Sequence, residues 1–359
     1  MGGITKPVRM LAAMGAAMAL MLVAPPQEAA VAHEPAGIAA WRADSVHGRP
    51  LPDPATTSPS QVATFFAGLS PDERAGLVDR HPRVVGNLDG APLDLRYAAN
   101  LGVATSAMSV GRQVLAFDPR GDGEVVEVLG DLATARRVAV IVPGVDNTLA
   151  RFDRGLGGVR DRAPAVQARH LYREMIDGER GSRAGGQPVA VIAWLGYDTP
   201  EGFSPSMVRS ERALDGANRF VRFMRGIEVV NPEARVTVIG HSYGSVVAGY
   251  AASRLPSDVT DIVAIGSPGM GVANRDGLHT SARVWAARAD GDWMRWVPGV
   301  QVLGVGFGMK PDDPSFGARS FSTVGADGHD RYFAEGTEAL RNLARVGLGE
   351  PELVSGELV

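Results

Sequence analysis

From about residue 111, the chain alternates continuous apolar runs with segments whose apolar residues recur at helical spacing. The runs are RRVAVIVPG, PVAVIAWLG, RVTVIG, DIVAIGSPG and SARVWAARA. Such runs are typical of parallel strands buried on both faces. Between them, one helical face carries Leu214, Ala217, Val221 and Met224, and a last helix is predicted near Thr337 to Val346. This alternation predicts an α/β fold over residues 111–350, a doubly wound, mostly parallel sheet with helices on both faces, followed by a tail at 351–359.

The residues before this region give different signals. QVLAFDP and GEVVEVLG flank Arg120–Gly123 and predict a β-hairpin. Ser58 and Ser70 each precede a proline and have Gln or Glu three residues on, which predicts two capped helix starts and a helical segment over 58–110. Residues 33–57 are predicted to be a linker, because they are rich in Ala, Pro, Gly and charge and lead into GRPLPDPATTSP (48–59), which is unsuited to a regular helix or central strand.

The N-terminus has the order of a secretory signal peptide. Lys6 and Arg9 precede a long apolar run, and Ala30-Val31-Ala32 follows it, so we predict a signal peptide over residues 1–32 with cleavage before His33. An uncleaved anchor is the alternative, but the run is shorter than the roughly 20 residues that a membrane span needs. We therefore expect a secreted or envelope-associated protein without a stable membrane span.

Composition narrows the classes of partner and the means of stabilisation. The 359 residues have a formal charge of −4 and contain no Lys/Arg run, which argues against nucleic acid as a partner. The chain has no cysteine, so disulfides and a lipid-modified cysteine are excluded and a large core must stabilise the fold.

One motif predicts chemistry. In VTVIGHSYGSVV, Ser242 follows an apolar strand and precedes a helix-like run of small residues. This is the context of a nucleophile elbow, a strained turn where Gly240 and Gly244 leave room for the neighbouring strand and helix. A structural turn serine is the alternative.

A nucleophilic serine needs a base and an acid, which follow it in the order Ser, acid, His in this type of fold. His279 and His329 both follow Ser242. His279 precedes a strand, whereas His329 lies in GADGHDRYF before the last helix, so His329 is the predicted base. Asp290 and Asp292 both follow a strand end; we favour Asp292, because apolar residues after it would anchor its loop, and keep Asp290 as the alternative.

Two backbone N–H groups are expected to donate hydrogen bonds to the oxyanion that develops during acyl transfer. The N–H of Tyr243 is one, and the N–H of Val145 or Asp146, after the strand that ends at Gly144, is the other. Asn147 and Tyr197 are candidates for substrate contact, with helix capping and packing as their respective alternatives. No metal or cofactor is predicted, because His241 has no second ligand at usable spacing and the glycine-rich stretches lack a phosphate-loop pattern.

Several stretches in one order carry a wider resemblance: LSPDERAGLVDRHPRVVGNLDGAPLDLRYAANL, AFDPRGDGEVVEVLGD, VAVIVPGVDNTLARF, AWLGYDTPEG, VIGHSYGSVVAG, GSPG and FGARSFSTVGADGHDRYF. The chain resembles an actinobacterial α/β-hydrolase family long catalogued as a domain of unknown function. The resemblance implies a serine-hydrolase fold preceded by a helical segment, with the nucleophile at Ser242 and the histidine at His329.

These features together predict an exported serine hydrolase acting on a small-molecule ester or a lipid-like substrate. An acyltransferase or peptidase with the same residues, and a non-catalytic scaffold that binds a ligand or partner, are the alternatives. The apolar insertion between Asp292 and His329 forms either a lid or a packed loop. Nothing in the sequence indicates the oligomeric state.

Overall fold

The structure is a computed structural model that describes residues 34–104, 111–181, 186–202, 210–302 and 305–356. The predicted signal peptide at 1–32 lies outside these residues. In the described residues the helices are α1 (Ile38–Ala43), α2 (Pro59–Ala67), α3 (Pro71–Arg80), α4 (Pro82–Val85), α5 (Leu93–Ala104), α6 (Pro164–Gly181), α7 (Glu211–Val230), α8 (Tyr243–Ala251) and α9 (Glu338–Leu348).

The strands of the described chain form one large sheet and two small hairpins. They are β1 (Ser45–Val46), β2 (Arg49–Pro50), β3 (Gln113–Asp118), β4 (Glu124–Leu129), β5 (Arg137–Val142), β6 (Val189–Leu195), β7 (Arg235–His241), β8 (Val259–Ile265), β9 (Arg283–Ala287), β10 (Gln301–Val302), β11 (Val305–Gly306) and β12 (Arg319–Ser320). The sheet order is β12-β9-β8-β7-β5-β6-β4-β3, with only the β3–β4 and β4–β6 pairings antiparallel. This confirms the predicted doubly wound, mostly parallel sheet and its leading hairpin.

Helices cover both faces of the sheet, and alternate residues of each strand point to opposite faces, so both sets of side chains are buried. On β5, Val138 and Val140 pack in a cluster with α7 and α8, whereas Ala139 and Ile141 pack in a second cluster with α6 and α9. Most positions of these strands are therefore apolar, with Thr237 of β7 and Asp261 of β8 among the buried polar exceptions.

Two predictions about local packing are wrong. Leu214 of α7 is 43% exposed, whereas Ala217, Val221 and Met224 of the same predicted face are buried together with Ala213 and Phe220. The residues predicted as a linker contain α1, where Trp41 is fully buried and donates its indole N–H to the carbonyl of Pro52 at 2.7 Å. Burial of this one large aromatic ring fixes the segment against the helices that follow.

The two predicted helix starts are present, and residues 105–110 of the predicted helical segment lie outside the described residues. Ser58 and Ser70 cap α2 and α3 through reciprocal hydrogen bonds with Gln61 and Glu73. Its own cluster of buried residues, which includes Trp41 and Phe66, forms a small separate core.

The insertion between Asp292 and His329 packs against the body where it is described. Phe307 is buried, and its carbonyl accepts the N–H of Gly271 at 2.7 Å. Further on, β12 adds a parallel edge strand beside β9. These contacts favour the packed-loop alternative over a lid.

Candidate active site

Ser242 forms the turn between β7 and α8. Its φ of 55° and ψ of −127° are strained for a residue with a side chain. A Cβ on Gly240 would lie 2.5 Å from Cα of Ser245, and one on Gly244 would lie 2.0 Å from the carbonyl oxygen of Val142. The two glycines thus permit the close strand-to-helix turn, as the sequence predicts.

The structure brings Ser242, His329 and Asp292 together at the carboxyl edge of the sheet. Oγ of Ser242 is 2.9 Å from Nε2 of His329. On the other side of the ring, Nδ1 of His329 is 2.9 Å from Oδ1 and 3.1 Å from Oδ2 of Asp292. This network fits a histidine that donates from Nδ1 to the carboxylate and accepts the serine hydroxyl proton at Nε2.

The carboxylate of Asp292 is completely buried but well supplied with donors. It accepts hydrogen bonds from the hydroxyl of Tyr332 at 2.6 Å and from the N–H of Met294 at 2.8 Å. Burial raises the pKa of Asp292. The hydrogen bond from His329, the positive charge of that ring and the hydrogen bonds from Tyr332 and Met294 outweigh burial and lower the pKa to about 2. Asp292 is therefore ionised at neutral pH despite its burial.

The rejected candidates lie elsewhere. Asp290 is exposed, two residues before Asp292, and its backbone carbonyl accepts the N–H of Gly328. His279 is also exposed and ends a 3₁₀ turn ahead of β9. Neither side chain reaches the Ser242–His329 pair, which agrees with the preference for Asp292 and His329.

His241, next to the predicted nucleophile, contacts the other histidine. Its Nε2 is 2.9 Å from the carbonyl oxygen of His329, and the two ring centroids are 5.0 Å apart. Burial and the nearby charge of His329 lower the pKa of His241 to about 4. His241 is thus neutral at pH 7 and donates an N–H to the backbone that carries His329.

The predicted backbone donors differ in their availability. The N–H of Tyr243 belongs to the first turn of α8, whose N–H groups point toward the N-terminal end of the helix. Among the described residues, no acceptor takes the N–H of Val145. Asp146 is different: it has a φ of 61° and donates its N–H to the carbonyl of Pro200 at 2.9 Å. The prediction of Asp146 as a donor is therefore wrong in this conformation, because the left-handed turn directs its N–H to the neighbouring loop.

The two candidates for substrate contact have structural contacts as well. Nδ2 of Asn147 donates to the carbonyls of Gly144 and Val145, both at 3.1 Å, so this side chain shapes the donor loop while also lining the cavity. Tyr197 is almost fully buried and does not line the cavity; its hydroxyl donates to the carbonyl of Pro143 at 2.7 Å. Its prediction as a substrate contact is wrong, because its ring packs in the core below the loop.

A cavity of about 380 Å³ opens beside Ser242. It is lined by Gly144, Val145, Asp146, Asn147, Leu156, Arg162, Gln167, Gly202, His241, Ser242, Trp293, His329 and Asp330. Arg162 donates from Nε to the carboxylate of Asp330 at 2.8 Å, so the cavity wall carries a charge pair. No group of three or more His, Cys, Asp or Glu side chains able to hold a metal ion occurs in the described part of the chain.

Sequence reasoning missed three residues that touch the site. Tyr332 supports Asp292, and its spacing three residues after His329 was the available signal. The ring of Trp293 lies 4.9 Å from that of His329. Gly266 ends β8 with a φ of 54°, and a Cβ there would lie 3.0 Å from both Oδ2 of Asp292 and Nδ1 of His329. A glycine at the end of a predicted strand, in GSPG, was the signal for this close approach.

The chain is similar to a known protein family and to several mycobacterial proteins. A family model described as "Alpha/beta hydrolase" matches residues 118–302. Uncharacterized protein Rv2079 of Mycobacterium tuberculosis is 25% identical over 392 residues, covering 86% of this chain and 58% of the relative. Uncharacterized protein Mb0988c of Mycobacterium bovis is 30% identical over 213 residues, covering 55% of this chain and 76% of the relative. The chain thus spans 58% of the length of the first of these relatives.

Solved structures also resemble the chain. An α/β serine hydrolase without lid from Xanthomonas campestris is 16% identical with a TM-score of 0.35, covering 67% of this chain and 95% of its own. Dienelactone hydrolase from Anabaena variabilis is 13% identical with a TM-score of 0.36, covering 68% of this chain and 98% of its own. Neither likeness bears on the substrate.

Proposed function

The chain belongs to the alpha/beta hydrolase family, and we propose that it is an exported serine hydrolase that cleaves carboxylic esters through an acyl-enzyme. One observation carries the proposal. Nε2 of His329 is 2.9 Å from Oγ of Ser242 while Nδ1 of the same ring is 2.9 Å from Asp292. A hydroxyl, a base and an ionised orienting acid in this arrangement are what acyl transfer to serine needs.

In the first half of the reaction, Oγ of Ser242 forms a bond to the ester carbonyl carbon as its proton moves to Nε2 of His329. Asp292 stabilises the resulting imidazolium, and the carbonyl oxygen takes the negative charge. The N–H groups of Tyr243 and Val145 donate to that oxygen. Collapse breaks the bond to the leaving alcohol, which takes its proton from His329.

In the second half, water replaces the alcohol. His329 accepts a proton from water as the water oxygen bonds to the acyl carbon, and the same donors hold the oxyanion. The ester bond to Ser242 then breaks, its oxygen regains the proton from His329, and the free acid leaves. Asp292 remains ionised throughout, which its low pKa of about 2 supports.

The proposed substrate is a small-molecule ester or a lipid-like ester with an apolar acyl group. Leu156, Val145 and Trp293 supply apolar lining, and a cavity of about 380 Å³ is at the small end of the range for ligand sites. The proposed export rests on the charged, apolar and Ala-Val-Ala order of residues 1–32.

A fluorophosphonate probe tests the proposal directly, because it reacts with activated serines. We expect wild-type protein to be labelled and Ser242→Ala and His329→Ala to stay unlabelled. His279→Ala is the matched control and should label like wild type, since His279 is an exposed loop histidine. An unlabelled wild type, or labelling that survives Ser242→Ala, would overturn the proposal.

The acceptor and the scissile bond need a second measurement. Purified protein should release acid from p-nitrophenyl esters of graded chain length, with water as the main acceptor. If added alcohols captured most of the acyl group, the protein would be an acyltransferase, and if amides were cleaved in preference to esters, it would be a peptidase.

A further inference from the structure

Two short segments both contribute lining residues to the cavity. One is formed by the 3₁₀ turns Leu156–Gly158 and Arg160–Arg162, and the other begins with the 3₁₀ turn Trp293–Trp296. Leu156, Arg162 and Trp293 line the cavity. Arg162 contacts Asp330, which follows His329, and the ring of Trp293 lies 4.9 Å from the ring of His329, so both segments lie beside the same histidine.

These segments expose large apolar side chains beside the cavity. Val159 is 44% exposed, Trp296 is 49% exposed and Val300 is 48% exposed. Because residues i and i+3 are eclipsed in a 3₁₀ turn, Trp296 lies on the same side of its turn as Trp293. We call Val159, Arg160, Arg295, Trp296 and Val300 the mouth surface. Exposed apolar side chains grouped at a pocket entrance mark a site of interaction rather than ordinary surface.

The exposed tryptophan is unusual within this molecule. Trp41, Trp194 and Trp285 are 2% exposed or less. Indole rings favour the boundary between water and the acyl region of a lipid layer, because they are mainly apolar but carry one hydrogen-bond donor. Trp296 thus has the chemistry of a side chain that enters a lipid surface.

The charges of the mouth surface are positive. Arg160 follows Val159, Arg295 precedes Trp296, and in the described part of the chain neither forms an ion pair with a carboxylate. Arg162 forms an ion pair with Asp330, which lies outside the two segments. Within segments 156–162 and 293–300, Asp161 is the acidic residue. The whole chain has a formal charge of −4, so the positive charge of these segments is opposite in sign to the net charge of the protein. Such a surface is complementary to anionic lipid headgroups.

We propose that the mouth surface docks on an anionic lipid–water interface, with Trp296 and Val300 in the lipid and the arginines at the headgroups. The cavity mouth then faces the lipid, and an acyl ester enters without crossing water. The substrate class, an ester held in a lipid layer, rests on the proposed hydrolase function, whereas docking does not. In the described chain no helix has the length and apolar character to cross a membrane.

Binding of full-length Ser242→Ala protein to vesicles tests docking without turnover. We expect sedimentation with vesicles of phosphatidylcholine plus phosphatidylglycerol and much weaker sedimentation with phosphatidylcholine alone. The double variant Trp296→Ser, Val300→Ser and the charge variant Arg160→Glu should each weaken binding to anionic vesicles by about tenfold or more. Arg295 is left unchanged because its Nε donates to the backbone carbonyl of Asp292 at 3.2 Å.

Matched controls separate the mouth surface from general surface effects. Leu214→Ser and Leu353→Ser remove leucines that are 43% and 52% exposed elsewhere, and Arg49→Glu reverses an exposed arginine in β2. These variants should bind vesicles within about twofold of the parent. Equal binding to neutral and anionic vesicles, or mouth variants that bind as well as the controls, would overturn docking.

Activity in the wild-type background separates docking from the proposed function. The mouth variants should retain hydrolysis of a soluble short-chain ester while losing most hydrolysis of the same ester class embedded in phosphatidylglycerol vesicles. If soluble ester is cleaved but vesicles are not bound, docking fails and the hydrolase function stands. If vesicles are bound but no ester is cleaved, the hydrolase function fails and docking stands.

Discussion

The hydroxyl of Tyr332 donates a 2.6 Å hydrogen bond to the buried carboxylate of Asp292. The same hydroxyl accepts a hydrogen bond from the N–H of Ala289 at 2.9 Å, so the phenol of Tyr332 links the backbone just after β9 to the carboxylate of Asp292. Burial, together with the charge of Asp292, raises the pKa of Tyr332 far above its ordinary value, which keeps it a donor at any physiological pH.

Removing that hydroxyl tests its positioning role. Tyr332→Phe leaves the ring but removes a bond to a charged group, so we expect a loss of about 2 kcal/mol in the free energy of unfolding. Since the bond also lowers the pKa of Asp292, that pKa should rise, and kcat should fall by about tenfold with little change in KM. Urea unfolding and the pH profile of kcat measure both effects. A variant with lower stability but an unchanged pH profile would show that Tyr332 is structural only.

The two aspartates of the ADGDWM stretch form a matched pair of variants. Asp292→Asn keeps the shape of the side chain but removes the charge that stabilises the imidazolium, and kcat/KM should fall by about 10⁴-fold. Asp290→Asn, on an exposed side chain in the same loop, should keep kcat/KM within about twofold. Steady-state kinetics on a soluble ester gives both values, and equal losses would remove Asp292 from the proposed mechanism.

Gly266 provides a steric test of the Asp292–His329 contact. Gly266→Ala and Gly336→Ala both place a Cβ at a positive φ, 54° and 80° respectively, which costs about 1 kcal/mol of stability in each case. Only the Cβ at residue 266 meets the Asp292–His329 pair, since nothing lies within 4 Å of one at residue 336. We expect kcat/KM to fall at least tenfold for Gly266→Ala and to stay unchanged for Gly336→Ala. Comparable activity in the two variants would contradict the close approach.

The low pKa of His241 predicts how stability depends on pH. The unfolded chain binds a proton on this histidine near its ordinary pKa of 6.5, whereas the folded chain does so only near 4. Between these values the unfolded state holds more protons, so stability falls as pH falls, by about 2 kcal/mol between pH 7 and pH 5. Urea unfolding at the two pH values should show this loss in wild type and in His279→Asn, and a smaller one in His241→Asn. A loss of the same size in His241→Asn would assign it to other groups.

The parts of the site that the sequence predicted are those defined by short spacing. Gly240, Ser242 and Gly244 lie within five residues, and sterics at a strand-to-helix turn dictate their order. The long apolar runs predicted the sheet because strands that are buried on both faces are apolar at most positions. His329 was predicted by elimination and by its place before the last helix, a matter of chain order.

The remaining features depend on contacts that spacing does not encode. The N–H of Asp146 is taken by Pro200, a partner 54 residues away, and only the folded loops bring the two together. Asp292 was preferred over Asp290 from its apolar neighbours, but the hydrogen bond from Tyr332 that stabilises its charge joins residues 40 positions apart and forms only in the folded chain. On α7 the predicted residues Ala217, Val221 and Met224 are buried, but Leu214 is exposed and Ala213 beside it is buried, because the spacing places the edge of the apolar face only to within one residue.

The order of the parts along the chain also governs when the Ser242 hydroxyl gains its partner. Ser242 directly follows the central strand β7. His329 comes 87 residues later, after the edge strand β12 and before α9. A nascent or truncated chain that ends before residue 329 carries the elbow without the imidazole that contacts Oγ of Ser242. In the proposed mechanism, Ser242 therefore gains its proton acceptor only when the last part of the chain has been synthesised.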